Sequence, residues 1–182
     1  MMMSTANPFD GHDGKVEKLL RSVPCEAVEL FSTLAAPAQG RIDGDYAGAV
    51  GRYLNEDWEM LMSRSGLGTW LGKRYTSDAA DGTRGEGCNL YRREGGVGQS
   101  LRFAWHIGPS TIDGRPALMM HYGAFDNWAG RQDLVDELRV WRDDLLLGLF
   151  HTGEPVPNFT AEGEGERSAV GFFVLKGPAS KL

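Results

Sequence analysis

Cysteine is scarce: Cys25 and Cys88 are the only two in 182 residues, enough for at most one bridge, and no short metal-ligand spacing joins them. No apolar run approaches the roughly 18–20 residues that a membrane-spanning helix needs. Met1–Asp13 has no cationic start followed by an apolar core, so no secretory signal is expected and the cytoplasm is the default compartment. Positive charge is also short. Nineteen Lys and Arg face 25 Asp and Glu, and the net −6 repels phosphate backbones and anionic lipid, which argues against nucleic acid and membranes as partners. The histidines His12, His106, His121 and His151 show neither His-x-His nor His-x-x-x-His spacing, so no metal site is predicted. A Gly-x-Ser-x-Gly elbow, a Gly-x-Gly-x-x-Gly turn and a P-loop are all missing, which takes motif support from hydrolase and nucleotide readings; no cofactor is expected.

What is present is ordinary for a folded protein: 41% hydrophobic and 24% charged residues. The length suits one domain, read as residues 15–182 behind a flexible leader, 1–14. Glycine is the unusual count, 25 against an average of roughly 7%. Without a strict period, that richness predicts many turns and a β-rich fold.

Near the start, Val16, Leu19, Leu20, Val23, Ala27, Leu30, Phe31 and Leu34 follow helical spacing over Lys15–Leu34. Pro24 interrupts them, so two short helices are expected, the second stopped by Pro37. Arg52–Ser63 has one apolar stripe and predicts a further helix, either core packing or a ligand lid. From Gly68 onward, short aromatic and aliphatic runs are separated by glycine and acidic turns. Strands are predicted at Thr69–Thr76, Gly87–Arg93, Gln99–Ile107, Ala117–Tyr122, Leu134–Trp141, Leu145–Phe150 and Val170–Lys176, with an earlier one at Ile42–Val50. Turns fall at Gly95-Gly96 and, more loosely because of Pro116, at Asp113-Gly114. Thr152–Ser168 has no periodicity and reads as a long surface loop. Seven or eight short strands with close connections signal an antiparallel barrel or sandwich.

Gly68-Thr69-Trp70-Leu71-Gly72 matches a Gly-x-Trp-x-Gly pattern. The chain resembles the lipocalin-like, calycin-type group of small bacterial β-barrel proteins that begin a barrel with that motif. The preceding LFSTLAAPAQGRIDGDYAG is similar to their leader, and DELRVWRDDLLLGLF to their acidic-and-arginine strand followed by an aliphatic one. The likeness spans most of residues 28–176 and implies a barrel of about eight strands with N-terminal helices. In such a barrel Trp70 plugs one end, and Gly68 and Gly72 let backbones approach closely.

A closed sheet of about eight strands either fills its interior with side chains or leaves room for one small ligand. Leu101, Phe103, Trp105 and Ile107 alternate with Arg102, Ala104, His106 and Gly108, one apolar face against one mixed. Ala117–Tyr122 is largely apolar on both faces, with Met119 and Met120 on opposite sides, so both faces should be covered. Candidate chemistry lies where polar groups interrupt these strands. His121 and Tyr122 close an apolar run and alternate to opposite faces, offering an imidazole base or a phenol donor. Arg102 and His106 share a face about 13 Å apart. Glu137, Arg139 and Trp141 share another face, opposite Asp136, with Glu137 and Arg139 near enough to pair, either gripping an acidic ligand or bridging strands. Tyr75 and Tyr91 could add phenols to a cavity, and Asp126, Asn127 and Trp128 could border its entrance.

The expected function is a barrel that encloses a largely apolar organic molecule, with His121, Tyr122 and Arg102 as catalytic candidates. Its walls would be Tyr75, Tyr91, Phe103, Trp105, His106, Met119, Met120, Glu137, Arg139 and Trp141. Orientation and a few hydrogen bonds would promote cofactor-free cyclisation, isomerisation or lyase chemistry. One alternative is a non-catalytic carrier or sensor with the same cavity. Another is a filled barrel that binds a protein on its outer face, which dense packing of Trp70, Phe103 and Trp105 would favour. A homodimer is left open.

Overall fold

The computed structural model describes residues 9, 14–38, 42–51, 66–78, 82–127, 133–152 and 170–179. Helices α1 (Lys15–Leu20) and α2 (Pro24–Thr33) precede strands β1 (Gly44–Val50), β2 (Thr69–Ser77), β3 (Arg84–Arg93) and β4 (Gly96–Pro109). Strands β5 (Pro116–His121), β6 (Leu134–Arg142), β7 (Leu145–Thr152) and β8 (Val170–Ala179) follow, with a 3-10 turn at Tyr122–Ala124. Each strand pairs antiparallel with its chain neighbour and β8 pairs back onto β1, giving a closed barrel. Closure pairs each of these eight strands on both sides, so none of them offers a free edge to template aggregation. The expected strands are all present, several of them longer than the apolar pattern suggested. The expected helix Arg52–Ser63 lies outside the described residues. So do Trp128, and the leader and the stretch Thr152–Ser168 apart from Phe9, Gly14 and Thr152.

Local chemistry explains the joints. Pro24 occupies the first turn of α2, where its missing N–H costs nothing. Six residues, 110–115, join β4 to β5, with Gly114 at φ 71°, looser than a two-residue hairpin. In the Gly-x-Trp-x-Gly segment, Gly72 has φ 140° at a register shift between β2 and β3, and a Cβ there would overlap the Tyr46 carbonyl. Gly68 (φ 91°) is similarly crowded by the Arg92 carbonyl.

Alternation splits the apolar residues into two layers. Tyr46, Tyr75, Tyr91, Leu101, Phe103, Trp105, Leu118, Met120, Tyr122, Leu138, Phe173 and Leu175 pack inside the barrel. Met119, Val135, Leu147, Leu149, Phe172 and Val174 point outward and are covered by Val16 and Leu19 of α1 and Ala27, Val28 and Phe31 of α2. At roughly 1.5–3 kcal/mol per fully buried large apolar side chain, the helices are a second core and not a decoration. After α2 the chain bridges β6 through Ala35 and Val140, and Ile42 then joins the inner cluster near the start of β1.

Two buried polar knots fasten this outer layer. The Arg139 guanidinium, with no exposed surface, donates to the carbonyls of Phe31, Arg115 and Pro116 and grips Asp113 with two bonds of 2.6 and 2.8 Å. Its plane lies 4.4 Å from the Phe31 ring centre. One side chain thus ties α2 to the β4–β5 turn. Glu137, equally buried, accepts from Ser110 and from both the N–H and hydroxyl of Thr111, and lies 3.0 Å from His151 Nε2. The expected Glu137–Arg139 pair is therefore not formed: each has a nearer partner on the β4–β5 turn or on β7, and both point outward under the covering layer.

Gly72→Ala should lower stability by about 1–3 kcal/mol through its dihedral alone, with the backbone overlap adding to that, as read from the urea midpoint. For Glu137, burial alone would raise the pKa, but the hydrogen bonds from His151, Ser110 and Thr111 outweigh it and hold the carboxyl below its ordinary range. A depressed carboxylate adds stability that is full above the unfolded pKa and is lost as pH falls through the folded one. Glu137→Gln should therefore cost about 2–3 kcal/mol at neutral pH and flatten the acid limb of the stability curve below about pH 4.3, measured by denaturant titration across pH.

Candidate functional site

Lys73 and Tyr75 stand two apart on β2, as do Asn89 and Tyr91 on β3, so alternation sends all four inward with Asp136 of β6 and with Tyr122, just beyond β5. Lys73, Asn89, Asp136 and Tyr122 are each at most 4% exposed. Lys73 Nζ lies 2.8 Å from Asp136 Oδ2 and donates to Asn89 Oδ1 at 2.8 Å and to the Tyr122 hydroxyl at 2.5 Å. Tyr122 donates to Asp136 Oδ2 at 2.8 Å, and Trp70 Nε1 donates to Asn89 Oδ1 at 3.0 Å. All three ammonium protons find oxygen. Three polar atoms in the same interior do not: Asp136 Oδ1, the Tyr91 hydroxyl and Trp105 Nε1 have no hydrogen-bond partner among the described residues.

Rings surround the amine. Nζ lies 5.0 Å from the centre of Phe173, 5.3 Å from Phe103 and from Tyr122, and 5.7 Å from Trp70, all within cation–π range. Burial lowers the Lys73 pKa from its usual value, and the Asp136 carboxylate opposes that fall. Burial likewise pushes the Tyr122 phenol up, and Asp136 beside it adds to the rise. The hydroxyl thus stays protonated and touches both charged partners. Chemically, this is an amine and a carboxylate joined by a phenol that can pass a proton between them, in a place where water is scarce. Among the described residues, no three His, Cys, Asp or Glu side chains gather closely enough to hold a metal ion.

The cluster lies toward one end of the barrel. Val50, Trp70, Leu134 and Phe150, at the end where β1, β5 and β7 finish and β2 and β6 start, are only partly buried and pack on the inner cluster. Below them the space is full. A guest-sized void would leave accessible surface on its walls, yet Tyr91 and Phe103 have none, Tyr122 has 1% and Trp105 2%. Tyr46, Tyr75, Phe103 and Tyr122 form a chain of ring contacts at 5.4–5.5 Å across the interior.

Of the three catalytic candidates, the barrel takes in Tyr122 alone. His121 is half-buried on the outer face, stacked on exposed His106 at 5.2 Å, where burial first and the His106 charge second lower its pKa. Arg102 is exposed, paired with Glu86 at 2.7 Å and stacked on Phe125 at 4.1 Å. Tyr75, Tyr91, Phe103, Trp105 and Met120 are brought together inside; Met119, Glu137, Arg139 and Trp141 lie in the outer layer. Lys73 and Asn89 were missed as site residues. The signal was available: both share a strand face with tyrosines read as cavity walls, Tyr75 and Tyr91.

A concavity of about 890 Å³ lies on the outer face of β2–β4, bordered by Arg74, Arg84, Arg102, Glu86, Gln99 and Asn127. Its arginines are partnered, Arg74 by Asp45 at 2.5 Å, Arg84 by Asp78 at 3.4 Å and Arg102 by Glu86. It is an open, charge-balanced groove.

No protein-family model matches the chain, and no curated protein is significantly similar to it. Among solved structures, a protein from Thermomonospora curvata is similar, with a TM-score of 0.55 and 16% identity, covering 86% of this chain and 88% of that one. At that identity the likeness shows the fold: a barrel of this kind has been seen in a crystal.

Proposed function

We propose that this barrel binds a mostly apolar small organic molecule, admitted at the end framed by Trp70, Leu134 and Phe150, and that the Lys73–Asp136–Tyr122–Asn89 cluster engages its polar group. The observation that carries the reading is unmet hydrogen-bonding capacity at a buried charge pair: Asp136 Oδ1 and the nearby Tyr91 hydroxyl are enclosed without a partner among the described residues. Such atoms cost free energy unless something satisfies them. A buried ion pair is also a weak way to stabilise a core, and titratable groups displaced from their usual pKa gather at functional sites. The likeness to lipocalin-like barrels, a group in which the interior holds one ligand, supports the same reading. Because the interior is filled, binding displaces rings at the Trp70 end, and affinity is reduced by that cost. With a bound carbonyl compound, Lys73 would polarise the oxygen while Asp136 and Tyr122 move a proton, the minimum for a cofactor-free isomerisation or cyclisation.

One observation favours a second reading. The dense packing of Phe103 and Trp105, together with the groove over β2–β4, suits a filled barrel with a protein partner on its outer face.

Titration with 1-anilinonaphthalene-8-sulfonate, and its displacement by decanol or decanoic acid, separates the two. Lys73→Met should weaken displacement about tenfold or more, and Arg102→Ala should leave it unchanged; the reverse pattern puts the binding surface in the outer groove. Stability provides a second check. Asp136→Leu alone should cost about 3–5 kcal/mol by stranding the ammonium, whereas Lys73→Met with Asp136→Leu should be neutral or stabilising by up to about 4 kcal/mol in urea unfolding. A double variant as unstable as the single one would make the cluster a structural device.

A further inference from the structure

We propose that Lys73 forms an imine with the carbonyl carbon of an aldehyde or unhindered ketone, using Tyr122 and Asp136 to move the protons. This rests on the reading of the cluster as a ligand site and names the ligand class. Lys15 and Lys18 are exposed on α1, and Lys176 lies half-buried on β8, whereas the Lys73 side chain is 3% exposed. It alone among these has a carboxylate at 2.8 Å, a phenol at 2.5 Å and a cage of four rings. Burial favours the uncharged amine, and a neutral amine beside a proton-bearing partner is the nucleophilic form that carbonyl compounds require.

The balance closes without a further reagent. Proton transfer from the ammonium to Asp136 frees the nitrogen lone pair, which attacks the carbonyl carbon; the C–N bond forms and the C=O π pair moves to oxygen. Tyr122, in contact with both Lys73 and Asp136, delivers a proton to that oxygen and is refilled from Asp136. The nitrogen then gives a proton back to the carboxylate, the hydroxyl takes it and leaves as water, and the C=N bond forms. Lysine ammonium plus carbonyl has become iminium plus water, with Asp136 again a carboxylate beside a cation. Asp136 Oδ1, which has no hydrogen-bond partner among the described residues, is the acceptor left for the intermediate's hydroxyl. The rings that face the ammonium would face the iminium equally well and keep water from hydrolysing it.

The full-length chain is incubated with benzaldehyde or decanal and cyanoborohydride, and reduced adducts are mapped by peptide mass spectrometry. Binding of benzyl alcohol and decanol, which cannot form an imine, is followed in parallel by tryptophan fluorescence. The expected result is saturable labelling of Lys73 ahead of Lys15, Lys18, Lys176 and Lys181, slowed about 100-fold by Tyr122→Phe. The wild-type map stands even if that variant fails to fold. If the alcohols bind but adducts are confined to the other four lysines, the imine is overturned and the binding site survives. If neither alcohol binds and Lys73 stays unlabelled, both fall.

Discussion

Inside this barrel the Lys73 ammonium and the Asp136 carboxylate hold each other at 2.8 Å, and much of the chain's organisation follows from having to enclose them. Neither charge is tolerable alone in a medium of low dielectric, so β2 and β6, on different sides of the sheet's circuit, are bound to one geometry. Asn89, Tyr122 and Trp70 complete the shell, each from a different part of the barrel, and four rings replace the water that the amine has lost. The pair defines a polar centre in a barrel interior that is otherwise mostly aromatic and aliphatic. It also leaves Asp136 Oδ1 without a hydrogen-bond partner among the described residues, the imbalance on which the proposed ligand site rests.

The closed meander makes such a centre possible. Every second residue of eight strands must point into one limited volume, so a polar side chain there is surrounded on all sides. The outward residues face the opposite problem, and the solution is asymmetric: α1 and α2 cover the β7–β8 side, while β2–β4 turn Arg74, Glu86 and Arg102 to water. Arg139 and Glu137 belong to the covered side. They tie α2, the β4–β5 turn and β7 together, so although they lie close to Asp136 in sequence, they keep the scaffold in shape and stand outside the proposed ligand site.

Much of this was legible in the residues. Strand positions followed from short apolar runs bounded by glycine, and the helix break followed from Pro24, because these are local effects of backbone geometry. The alternation in Leu101–Ile107 correctly separated Phe103 and Trp105 from Arg102 and His106, and the opposite facing of His121 and Tyr122 was equally plain. Which face was the inner one was not legible, because strand β5 is apolar on both sides and alternation has no sign until the sheet closes. His121, Glu137 and Arg139 therefore looked as eligible as Tyr122. Lys73 escaped notice for a related reason: it lies just beyond the register shift at Gly72, and a lysine on a strand is ordinarily a solvated edge residue. Whether the interior was hollow could not be read from composition, since large rings serve equally as walls and as filling.

The indole N–H signals offer the most direct trial of the claim that a guest reaches this centre. In a two-dimensional NMR titration with decanol, the Trp70 and Trp105 indole resonances, both from the inner cluster, should shift together and saturate, while that of Trp141 in the outer layer stays in place. Movement of Trp141 alone, or no movement of any indole at saturating alcohol, would contradict an interior site.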